Sequence, residues 1–138
     1  MSHPLHPALV HFPIACWSLG TIADIASLWL GQPAWWLAGV LLAVGTVMAI
    51  AAMVTGLIEL VKINEQSPAL QDANRHMTLI LVAWTFYAAS IFLRLKGMAL
   101  TQPDTIDMAL SVAGFLFLAA AGWFGGKLVY GHGVGVGK

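Results

Sequence analysis

Charge is what this sequence has least of. Six Lys and Arg and six Asp and Glu among 138 residues make 9% charged side chains, where a soluble globular domain carries about 25%. So few charges cannot cover a water-facing surface. With 59% hydrophobic residues and a mean hydropathy of +0.84, the chain reads as an integral membrane protein. Net charge is zero and no basic stripe is present, which argues against a nucleic-acid partner. Cysteine is nearly absent too. The single Cys16 lies inside a hydrophobic run, so no intrachain disulfide is possible and the redox compartment stays undefined. No Lys or Arg precedes the first apolar run and no convincing small-x-small cleavage site follows it, so a removable signal peptide is not expected. There is no Ser–His–Asp set at a workable spacing, no paired-carboxylate site, no H-E-x-x-H, and no phosphate cradle in "GGKLVYGHGVGV". A hydrolytic enzyme is therefore not expected. No internal repeat stands out, which gives little support for a transporter built of one chain.

What the chain does have is long apolar runs. A spanning helix needs about 20 mainly apolar residues, and four segments qualify: about 8–30, 34–62, 74–96 and 105–130. The connections are a Gly31-Gln32-Pro33 turn, the polar stretch "NEQSPALQDANR" and "KGMALTQPD", with Asp104 as N-cap of the last helix. Links this short favour neighbouring antiparallel helices. The expected fold is all-α: one transmembrane domain over 1–138, a polytopic membrane four-helix bundle running up-down-up-down. Strands are not expected, because only helices and closed barrels satisfy the backbone in lipid. The glycine-rich tail 131–138 reads as a loop or strap. One face carries Lys62, Arg75, Lys127 and Lys138, the other Arg94 and Lys96. The positive-inside rule then places both termini in the cytoplasm.

Five histidines stand against this apolar background. His3, His6 and His11 precede or open the first span, His76 opens the third, and His132 follows the fourth. Alternate threading gathers all five at one membrane face, together with Glu59 at the end of the second span. At about 100° per residue, His76 shares a stripe with Ala83, Tyr87, Ser90 and Arg94, and Glu59 shares one with Thr55, Ala52, Met48 and Gly45. Asp107, Gly114, Ala121 and Gly125 form another. Small and polar residues line bundle interiors in membranes, so these stripes are expected to face inward. His11 is placed inward as well, on a stripe (Ala15, Ser18, Ile22, Trp29) that turns bulky further on. Pro7 suits a first helical position. Pro13 either breaks the first span by freeing the carbonyl of Leu9, or marks its true start.

"HPLHPALVHFPIA", the "TGLIE" of the second span, "RH" opening the third and the closing "GWFGGKLVYGHGVGV" together resemble the DUF2231 family of small bacterial membrane proteins, from His3 to Gly137. The resemblance implies four spans. Some relatives are fused to a Rieske-type iron–sulfur domain, which implies electron transfer. The second-span motif commonly ends in Asp in that family and ends in Glu59 here.

Three chemistries suit such a histidine cluster. The leading one is b-type haem for electron transfer, with His11 and His76 as axial ligands facing each other from diagonal helices. Arg75 would pair with propionates, Gly56, Gly122, Gly125 and Gly126 would give close backbone approach, and Trp123 and Tyr87 would wall the ring. The redox partner would be a Rieske-type protein or a quinone. The plainer alternative makes His11 and His76 helix-end caps bonded to carbonyls, and His3 and His6 solvated terminal residues. The second chemistry is a transition metal (Cu, Zn or Fe), for sensing or trafficking, held by a set drawn from His6, His11, Glu59, His76 and His132. The third is a structural or transport subunit, with Asp24 and Arg94 as an intramembrane pair. An electron-transfer or cofactor-binding protein is expected rather than a stand-alone enzyme, with the lipid bilayer as partner and a homo-oligomer compatible with each reading.

Overall fold

The computed structural model describes residues 5–136. Its elements are helices α1 (Leu5–Leu9), α2 (His11–Leu30), α3 (Gln32–Leu60), α4 (Pro68–Arg94) and α5 (Thr105–Gly126), two-residue strands β1 (Leu95–Lys96) and β2 (Ala99–Leu100), and a π-helical turn at Lys127–Gly131. Four helical segments are long and apolar enough to cross a membrane: Leu5–Leu30, Gln32–Leu60, Pro68–Arg94 and Thr105–Gly131. The chain is thus an all-α four-helix membrane bundle. Its outer surface is a coat of Leu, Ile, Val, Phe and Trp, with Leu28, Trp29 and Phe92 all more than 60% exposed, which suits lipid and not water.

The elements follow from local signals. The proline at 13 cannot donate to the carbonyl of Leu9, and the first span breaks there, at Val10 between α1 and α2. The turn between α2 and α3 needs Gly31 at φ +67°. Helix α4 begins earlier than its apolar run suggests. Ser67 caps it by accepting the Ala69 amide at 3.2 Å, and Pro68 takes the first turn. Two thirds of "NEQSPALQDANR", from Pro68 on, is therefore helix and not loop, because Ala69 and Ala73 pack against Leu128, Leu60, Ile63 and Val134. Asp104 and Asp107 form a reciprocal capping box at the start of α5. The expectation of no strands is corrected at the α4–α5 link. A minimal antiparallel ladder pairs Leu95 with Leu100 and Lys96 with Ala99 around Gly97, at φ +64°. It lies beyond the spans and drops the Leu100 side chain onto Gly39, where a strand's backbone meets no lipid.

Helix α2 packs chiefly on α3 and α4 chiefly on α5, so the bundle consists of two helical hairpins. Their shared core is Trp17, Leu42, Ala49, Ala83, Tyr87, Ile91 and Leu118. Across the diagonal, the Trp17 and Tyr87 rings stack at 4.7 Å between centroids and 16° between planes.

Candidate functional site

The first two turns of the chain, the C-terminal ends of α3 and α5 and the N-terminal half of α4 enclose a cavity of about 360 Å³. That is within the roughly 300–1,000 Å³ usual for small-molecule sites. Its wall is apolar (Val10, Met53, Met77, Ile80, Leu118, Leu128), its floor is Trp17, and its polar groups include His6, His11, Glu59 and His76.

Two of the histidines are held in the same way. His6 of α1 donates its Nδ1–H to the backbone carbonyl of Ala52 on α3 at 2.8 Å. His76 of α4 donates its Nδ1–H to the carbonyl of Ala121 on α5 at 2.9 Å. One helical turn beyond each acceptor stands a glycine against the imidazole. A Cβ at Gly56 would come within 2.8 Å of His6 Cε1, and one at Gly125 within 3.2 Å of His76 Cε1. Each ring is thus wedged between a carbonyl and a glycine of the facing helix. A donated Nδ1–H fixes the tautomer and leaves Nε2 with its lone pair, which is how metal-ligating imidazoles are normally oriented.

His6, expected to be a solvated terminal residue or a member of a metal set, therefore occupies the seat given to His11. His11 reaches the cavity from an exposed position. The reason is helical phase. The stripe of His11 runs through Ala15, Ile22 and Trp29, all exposed, whereas His6 lies in line with Pro13, Trp17, Gly20 and Asp24, all buried. That spacing was the available signal for His6. The carbonyls of Ala52 and Ala121 gave none, since every residue has one.

The other expected ligands part company. His132 Nε2–H donates to Asp72 Oδ2 at 2.9 Å, and Lys127 Nζ reaches the same oxygen at 2.9 Å. Asp72 also lies 3.6 Å from Arg75, whose guanidinium sits over the Phe124 ring. His132 thus fastens the C-terminal strap to α4. The strap in turn lays Val134 and Gly135 against the cavity. Glu59 lines the cavity, half-buried. The proposed metal set of His6, His11, Glu59, His76 and His132 is not assembled: among the described residues no three His, Cys, Asp or Glu side chains are grouped to hold an ion. His3 lies outside the described residues. Gly126 and Gly122 have open space where a Cβ would stand, so close approach on α5 belongs to Gly125. Trp123, expected to wall a ligand, is 76% exposed, and Tyr87 lies beneath Trp17, outside the cavity lining.

At the other end of the bundle, Asp24 and Arg94 form the expected intramembrane pair. Both side chains are fully buried, with two parallel bonds of 2.8 and 2.9 Å. Ser111 Oγ donates to Asp24 at 2.7 Å, and Arg94 also donates to Ser90 Oγ at 2.8 Å. Pairing and extra donors of this kind are what makes a buried charge tolerable. With its donors and acceptors engaged inside the protein, the pair suits a structural role.

No curated protein and no solved structure matches the chain. A protein-family model does, over residues 2–138, and its description reads "Predicted membrane protein (DUF2231)". The match takes in His6, His76 and every helix that builds the cavity, and the chain belongs to the DUF2231 family.

Proposed function

We propose that the cavity binds haem b between His6 and His76 and that the protein transfers electrons. The observation that carries this reading is the matched pair of imidazole seats, each an Nδ1–H···O=C bond and a glycine contact, on opposite walls of one apolar cavity. The residues suit the group. Two neutral imidazoles with free Nε2 lone pairs are an axial ligand set, Gly56 and Gly125 leave room beside them, and apolar walls exclude water. Held by these two side chains, the group would supply one-electron redox chemistry at this end of the bundle. The chain's part is to hold both rings rigid before binding, to keep Nε2 unprotonated, and to lower the dielectric around the iron. Arg75, half-exposed at the same membrane face, would supply positive charge for the propionates. A Rieske-type protein or a quinone is the redox partner of this reading.

Orientation follows from charge. Arg94 is fully buried inside the bundle and is not a loop charge, which leaves Lys96 on its face against Lys62, Arg75 and Lys127 on the other. This bias supports a bacterial inner membrane with the cavity and both termini on the cytoplasmic side.

The test is the absorption spectrum of the detergent-purified protein expressed with ample haem. A Soret band is expected in the wild type and in His11→Ala, and its loss in both His6→Ala and His76→Ala. Colourless wild-type protein, or a band surviving in either of the last two variants, would refute the assignment.

A further inference from the structure

The two seats share more than their chemistry. His6 and His76 are 70 positions apart in the sequence, and so are Trp17 and Tyr87, which stack, and Asp24 and Arg94, which pair. The relation extends to most of the buried positions, with Ala34, Gly39 and Gly56 of α3 having no buried counterpart in α5. Pro13, Trp17, Gly20, Thr21 and Asp24 are the buried residues of α2. Moved by 70, they become Ala83, Tyr87, Ser90, Ile91 and Arg94, the buried residues of α4 beyond its first two turns. The second helix of each hairpin obeys the same rule with a shift of 69. Ala38, Leu42, Gly45, Ala49 and Ala52 of α3 become Asp107, Ser111, Gly114, Leu118 and Ala121, which are all the buried residues of α5.

Contacts repeat as well as burial. Gly45 receives the Trp17 indole and Gly114 the Tyr87 ring, at 2.9 and 3.0 Å from where a Cβ would stand. Gly56 receives His6, and Gly125, 69 positions later, receives His76. Among the positions named, only His6/His76, Gly45/Gly114, Ala52/Ala121 and Gly56/Gly125 are identical, which is why no repeat stands out in the sequence.

We infer that the chain is an internal duplication: two homologous helical hairpins meet on a pseudo-twofold axis along the bundle, and the cavity's ligand is a flat group lying across that axis, gripped alike by both halves. Both hairpins start at the same membrane face, so the axis runs along the membrane normal, as in parallel repeats of membrane proteins. Trp17/Tyr87 and Asp24/Arg94 are residue and counterpart in direct contact, so both pairs lie on the axis. His6 and His76 are the next such pair toward the termini, and the cavity separates them. The ligand half of the inference rests on the haem reading above; the duplication rests on burial and contacts alone. The symmetry also explains the ion pair. Identical hairpins would bring two like charges together on the axis, whereas Asp24 against Arg94 makes each half complementary to the other and not to itself.

The experiment has two readouts on the full chain. In the first, D24R and R94D are made singly and together. Each single variant leaves two like charges buried on the axis and is expected to lower the melting temperature in detergent by roughly 10 °C or more. D24R/R94D, which exchanges equivalent positions, is expected to regain at least half of that loss. A double variant no more stable than the singles overturns the duplication as the basis of the pairing. In the second readout, His6→Gly and His76→Gly are titrated with haem, with and without added imidazole. Loss to the same extent, and rescue by imidazole in both, is expected. Loss in one alone overturns the two-sided grip. Wild-type protein that binds no haem defeats the haem reading and the ligand half with it, while the charge exchange still tests the pairing of equivalent positions on the axis that the duplication requires.

Discussion

A single imidazole bonded to a carbonyl is ordinary in a helical protein, and each of these two could be taken for a helix-end cap. The glycine changes the reading. A cap needs only an acceptor, whereas the ring edges of His6 and His76 press where a Cβ of residue 56 or 125 would stand. Glycine in a helix interior costs about 0.5–1 kcal/mol relative to alanine, so its presence beside each ring is explained by the room it leaves. Gly56→Val should therefore push the His6 ring off Ala52, at the roughly 1–3 kcal/mol typical of overpacking. The expected outcome is a folded, helical protein by circular dichroism with haem retention reduced at least as far as in His6→Ala. Unchanged haem content would mean that the ring is not held by this contact.

At the scale of the element, α1 continues the helical path of α2 through Val10, whose amide bonds the His6 carbonyl at 3.1 Å, and so presents His6 on the buried face of the first span. Pro13 leaves the carbonyl of Leu9 without its usual donor, where helices bend, and α1 lies against α3 near Thr55 and Gly56. Pro13→Ala restores the missing amide. It should raise stability or leave it unchanged, since proline in a helix interior disfavours the helix by about 3 kcal/mol relative to alanine. It should also straighten the first span and weaken the His6 seat. Thermal melting and haem content measured on one preparation check both halves, and a variant that loses stability and keeps haem contradicts the account. The C-terminal strap is held by a different device: Asp72, buried near the start of α4, gathers Lys127 and His132 and so brings Val134 and Gly135 over the cavity.

For the molecule as a whole, the two ends of the bundle divide the work. One end is tied by a fully buried ion pair with its serines, and the other opens into an apolar cavity with histidines on both walls. Between them the Trp17–Tyr87 stack forms the centre of the core, with Trp17 as the cavity floor. The lipid-facing coat sets the depth of both ends, and the charge bias is the ground for the proposed orientation, with the cavity on the cytoplasmic side. This orientation can be checked with single cysteines in a Cys16→Ser background. Gly97→Cys, in the hairpin beyond α4, should react in intact cells with a membrane-impermeant maleimide, and Glu65→Cys, in the link between α3 and α4, only after lysis. The reverse pattern would place the cavity outside.

The sequence by itself determined the membrane, the four spans, their alternation and the inward faces of α4 and α5, because hydropathy and 3.6-residue periodicity are local properties written in side-chain type. The stripe Ala83, Tyr87, Ser90, Arg94 could be read directly, and so could the shared level of the histidines. Which carbonyl and glycine each histidine meets was decided by tertiary structure, since the facing helix supplies both and a six-residue shift in the start of α4 is set by what Ala69 and Ala73 pack against. The departure of His132 to Asp72 depended on a fold-back of the strap that no spacing announces. The duplication was hidden for a related reason. What repeats is burial and contact, and those exist only when the two hairpins are packed together.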